Sequence, residues 1–149
     1  MFEIKYSYSG NNHPDVINAD ETALRYNHFL GNLTLKKGND SIVLDWGWIP
    51  LVDFALCLQV ISKTLLQKAI GEEEFEFTES DAKIIFKKNG DVIRVSASSS
   101  NGVLEMGCED FQNAANKFYK DIILNALNEN QMLRSNKKFV EYIKEAEKI

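Results

Sequence analysis

His13, His28, Cys57 and Cys108 are the residues on which nucleophilic or metal chemistry would have to rest, because the chain holds two histidines and two cysteines in all. Nucleophilic catalysis needs a nucleophile within reach of a base that a third group orients, and a metal needs several converging ligands. His13 precedes Pro14 in a polar loop, and His28 has no cysteine, Ser-Gly or carboxylate pattern around it. It reads as a residue at the edge of a strand. The cysteines lack a CxxC or His-rich neighbourhood, and the chain contains neither a Walker loop nor a GxGxxG string. Cys108 follows Gly107 just ahead of a helical segment, a position that can lower a thiol pKa. The strand pattern instead turns it inward beside Met106 and Leu104, as a small core hydrophobe. The expectation is a chain with no catalytic residue, no metal and no cofactor.

The densest chemistry is acidic. Glu72, Glu73, Glu74, Glu76, Glu79 and Asp81 place six carboxylates within ten positions, with no Lys or Arg among them. Strand alternation throws Glu74 and Glu76 away from Phe75 and Phe77, which separates the acids as metal ligands and lacks the spacing of a calcium loop. Two uses remain: a solvated strand edge whose charge discourages aggregation, or a surface that docks a basic protein. Trp48 and Asp45 could extend such a surface. Trp46-Gly47-Trp48-Ile49-Pro50 holds both tryptophans, Trp46 pointing into the core and Trp48 half exposed in the connection to a helix. The candidate partner-binding residues are therefore Glu72, Glu73, Glu74, Glu76, Glu79, Asp81, Trp48 and Asp45.

These groups need a frame, and 149 residues with 44% hydrophobic and 26% charged content suit one domain over 1–149 with an ordinary core. A net charge of −5 opposes binding to nucleic acid phosphates and suits a basic partner. No charged segment followed by an apolar one opens the chain, and the apolar stretch from Trp46 to Ile61 is too short to span a bilayer. The cytoplasm is the expected compartment.

Strict alternation over Phe2, Ile4, Tyr6 and Tyr8 predicts a half-buried strand. Residues 9–14 read as a loop and 15–28 as irregular, with room for a short helix. A Gly38-Asn39 turn opposes Leu35 to Ile42, Leu33 to Leu44 and Gly31 to Trp46. An Asn89-Gly90 turn opposes Phe86 to Ile93, Ile84 to Val95 and Ala82 to Ala97, and a further turn at Asn101-Gly102 sets Val95 against Cys108. Glu74-Phe75-Glu76-Phe77 adds one more strand. Helices are predicted from about Pro50 to Ile70, with Pro50 in its first turn and Gly71 just past its end, and from about Asp110 to Asn128. Ser135 to Lys148 forms a weaker third. The implied fold is α+β: a single antiparallel sheet of six to seven strands with helices packed on one face.

That order is an N-terminal strand, a hairpin ending in Trp46-Gly47-Trp48-Ile49-Pro50, a buried helix, the Glu-Phe-Glu-Phe strand, a hairpin through Asn89-Gly90 and a C-terminal helix. Over most of the chain it resembles small bacterial immunity proteins that neutralise the toxin domains of contact-dependent inhibition and other polymorphic toxin systems. The likeness is one of size, acidity and layout, and it transfers no functional residue. It implies a non-enzymatic protein that binds a cognate toxin, often a nuclease, and blocks its active site or its access to substrate. An interaction or scaffold protein, and a small enzyme or ligand binder built from scattered polar residues, are the alternatives.

Overall fold

The protein is described by a computed structural model covering residues 1–10 and 16–149. Seven strands and three longer helices follow in the order β1 (Phe2–Tyr8), β2 (Leu30–Lys37), β3 (Asp40–Pro50), α2 (Leu51–Leu66), β4 (Ile70–Glu76), β5 (Lys83–Asn89), β6 (Val92–Ala97), β7 (Val103–Gly107), α3 (Cys108–Glu129) and α4 (Lys137–Glu147). Between β1 and β2 lies a short α1 (Glu21–Ala23) that runs into a π-helical segment, Leu24–His28; a 3-10 turn, Gln131–Ser135, precedes α4. The α+β class holds, but the strands form two antiparallel sheets, β1-β2-β3 and β4-β5-β6-β7, and not one. At Gly102, in the β6–β7 turn, an added Cβ would lie 2.8 Å from the Ser41 carbonyl oxygen. The second sheet thus meets the first through a turn set against β3, and no ladder among the described residues joins them.

The inward faces follow from alternation. Phe2, Leu33, Leu35, Ile42, Leu44, Phe75, Phe77, Ile84, Phe86, Ile93, Val95 and Met106 are all buried, with Ile4 partly so. Helices α2 and α3 cover them, burying Phe54, Leu58, Phe111, Phe118 and Ile122. A fully buried aromatic or aliphatic side chain of this size contributes about 1.5–3 kcal/mol. The faces were predicted correctly although two registers were not. Asn89 pairs with Val92, so the tight turn is Gly90-Asp91, and Phe86 faces Val95 while Ile84 faces Ala97. Gly90 takes φ +61°, which a glycine adopts without strain, whereas an Asn89-Gly90 turn would have placed Asn89 there too. The shift is even, so every side chain keeps its face. In the same way Val95 faces Leu104, because the chain leaves β7 at Gly107 and Cys108 begins α3.

Two boundaries also moved. Pro50 is the N-cap of α2, and the helix stops at Leu66 because residues 68 and 69 turn to meet the β5–β6 hairpin. There the Lys88 ammonium donates to the Lys68 carbonyl, and the Gly90 N–H donates to Ala69 at 2.9 Å. Gly71 therefore lies inside β4 and caps no helix.

Candidate functional site

Strand β4 is one of the two outer strands of its sheet, and its acids are divided by the register with β5. Glu72 stands opposite Lys87 and pairs with it at 3.4 Å. Glu74 accepts from Lys83 at 3.3 Å, and Glu73, on the helix-covered side, reaches Lys68 at 3.7 Å. Half of the acidic run is thus matched by lysines, two of them brought across from β5 by the register. Glu76, Glu79 and Asp81 are exposed and have no ion-pair partner among the described residues. The unmatched negative charge is concentrated at the end of β4 and in the loop beyond it.

That loop is tight. The Phe77 N–H donates to the Ala82 carbonyl at 3.2 Å, the Ser80 N–H to Phe77 at 3.5 Å, and the Ala82 N–H to Ser80 Oγ at 3.1 Å. Phe77 is buried under it and touches both tryptophans, its ring centroid 5.0 Å from Trp46 and 6.1 Å from Trp48 with near-perpendicular planes. Trp46 and Trp48 stack on each other at 5.2 Å and 18°. Both are half-buried, which corrects the placement of Trp46 in the core. The cause is a bulge: the β2–β3 ladder breaks between Gly31 and Leu33, and Gly31 faces Ile49 and not Trp46. Gly47 takes φ +78° there, its N–H donates to Asn32 Oδ1 at 2.7 Å, and Ser9 Oγ donates to its carbonyl. Asp45, exposed on the strand just before Trp46, also has no ion-pair partner among the described residues. The structure therefore brings Trp48 to the far end of the acidic segment, a proximity that no local spacing encodes.

A second polar cluster went unnoticed in the sequence. Arg25, in the π-helical segment, donates through Nε to Asp53 Oδ1 at 2.6 Å, and its Nη2 lies as close to the same oxygen. Asp53 sits in the first turn of α2, where the helix dipole favours a carboxylate, and it is 4% exposed. Burial opposes the charge of Arg25, but the hydrogen bond and the charge of Asp53 outweigh it and raise the guanidinium further above its usual range. Cys57, one turn along α2, accepts from Arg25 at 3.4 Å and approaches Asp53 at 3.7 Å. Burial and the Asp53 charge push its thiol upward, so it stays protonated near neutral pH and is a poor nucleophile. These groups and Glu73, Glu74 and Glu76 wall a 540 Å³ groove between α2 and β4.

The remaining candidates do not converge. His28 ends the π-helical segment against Phe29, with ring centroids 6.3 Å apart, and Cys108 Sγ lies 3.7 Å from the Gly90 carbonyl. His13 lies outside the described residues. Among the described residues no group of three or more His, Cys, Asp or Glu could hold a metal ion, and no helix is long and apolar enough to cross a membrane. Compared with family models, with curated proteins and with solved structures, the chain matches none.

Proposed function

We propose that this chain is a non-enzymatic protein-binding module, an immunity protein that captures a basic toxin domain on the face formed by Glu76, the Phe77–Ala82 loop and the tryptophan pair. One observation supports this above the others: the carboxylates without an ion-pair partner among the described residues lie at the end of β4 and in the loop whose Phe77 packs on both half-buried tryptophans, while the rest of the acidic run is neutralised by lysines. Aromatic residues ringed by charge are the usual make-up of a strongly binding patch. A nuclease is the toxin class best matched to it, because a surface that holds phosphates is basic and meets an acidic inhibitor with complementary potential. The action is occlusion of that surface in the cytoplasm.

The test is the association kinetics of a Glu76→Lys/Glu79→Lys/Asp81→Lys variant with the toxin domain encoded beside the chain, at two salt concentrations. Association slows about tenfold at low salt and loses most of its salt dependence, while thermal stability stays near that of the wild type. Unchanged association at both salts removes the docking role.

A further inference from the structure

We propose that the Trp46–Trp48 pair and the Phe77–Ala82 loop form a receptor for one arginine side chain of the basic partner; this rests on the docking reading above and names what the partner inserts. The two indoles are stacked on one another at 18°, which leaves each one outer face off the stack, and Phe77, meeting both at 78° and 88°, braces the pair from its side. The brace is firm. The bulge that sets the indole positions is held by Asn32 and Ser9, and the loop is closed on itself through Phe77, Ser80 and Ala82. A site built in advance loses little freedom on binding.

The sign of the occupant follows from Glu79 and Asp81, which are exposed, without an ion-pair partner among the described residues, and carried by the loop that Phe77 closes against both tryptophans. Its shape follows from the rings. A quaternary ammonium is spherical and is best held by rings that surround it, whereas stacked indoles offer a plane. A guanidinium is planar, stacks on an indole and still presents its N–H fork to a carboxylate, while a lysine ammonium is a strongly hydrated point charge that gains less from an aromatic plane.

The chain has two tryptophans, so its two indole N–H resonances report on this site alone. Isotope-labelled protein is titrated with a hexa-arginine peptide, a hexa-lysine peptide of equal charge, and tetramethylammonium. Both indole resonances shift and saturate with hexa-arginine, which binds about fivefold or more tightly than hexa-lysine, and tetramethylammonium competes poorly. Trp48→Ala abolishes the arginine preference. Trp48→Phe, which keeps a ring and guards against loss of fold, reduces it, and Glu79→Gln/Asp81→Asn weakens both peptides. Equal affinity for the two peptides, or shifts that bypass the indoles, overturns the receptor. Equal affinity combined with the salt-dependent loss of toxin association in the charge-reversed variant would leave acidic docking standing without it. A clear arginine preference with unchanged toxin kinetics would instead remove the immunity reading and keep the receptor.

Discussion

Two ionic regions of this molecule use carboxylates to different ends. Along β4 the acids are many and open to solvent, and Glu72, Glu73 and Glu74 each face one lysine. At the start of α2 a lone aspartate is buried against Arg25, which also reaches the exposed Glu21 at 3.3 Å. Solvent screens the first set, and each such pair stabilises by about 0–1 kcal/mol. The second is screened far less on its Asp53 side, so removing one partner leaves the other charge poorly compensated. Density of charge in the sequence and its energetic weight in the fold are thus inverted here. The dense run is available for a partner because the fold does not depend on it.

The sharpest way to break this contrast is Asp53→Ala, which leaves Arg25 without its main partner. It should destabilise the protein by about 3 kcal/mol in chemical denaturation, whereas Arg25→Met/Asp53→Leu, which removes both charges, should come within about 1 kcal/mol of the wild type. A double variant as unstable as the single one would mean that packing, not the pairing of charge, matters at this position. Next in size is Asn136→Ala. Asn136 is 2% exposed; its Oδ1 accepts from Lys138 and Phe139 at the start of α4, and its Nδ2 donates to Val16 at 2.6 Å and Ala19 at 2.8 Å. Loss of a cap together with buried carbonyl partners should lower stability by about 2 kcal/mol, seen as a lower Tm.

Asp110 gives a smaller effect with a defined pH window. It accepts from the Phe2 N–H at 3.0 and 2.9 Å and pairs with Lys37 at 2.7 Å. Burial would raise its pKa, but Lys37 and the Phe2 N–H outweigh this and hold it below the usual carboxylate value. A lowered folded pKa means that the contribution is complete above the unfolded value of about 3.9 and disappears as pH falls through the folded value. Unfolding curves of the wild type and Asp110→Asn should therefore differ at neutral pH and converge in strong acid. Smallest of all, Glu72→Gln and Glu74→Gln should each change stability by less than about 0.5 kcal/mol. A larger loss from either would erase the distinction between the two regions.

Which parts were legible follows from the range of the interactions. Binary alternation chose the buried face of each strand, and even shifts at Gly90-Asp91 and after Ala97 left that choice intact. The bulge at Gly47 was hidden because its bonds come from Asn32 and Ser9, on two other segments. The division into two sheets was equally hidden, since alternation identifies strands and says nothing about where a ladder stops. At the site, the acids were visible as a run, but the partners Lys83 and Lys87 on β5 and the contact of Phe77 with Trp48 depend on register and sheet packing. Arg25–Asp53 was missed for the plainest reason. Arg25 stands in a segment without period, and Asp53 looked only like an interruption of an apolar helix.

The bonds of Asn136 bear on how the chain opens and closes in time. One side chain both starts the last helix and holds the backbone of residues 16, 17 and 19, near the other end of the chain. On a ribosome those early carbonyls must wait for residue 136 to emerge, so this corner closes only after all the strands and α2 and α3 between them have been synthesised. In the finished protein, detachment of α4 releases both segments together. Amide hydrogen exchange should accordingly group the N–H groups at the start of α4 with that of Leu24, which donates to Asp20 at 3.0 Å, in one unit that opens before the sheets do.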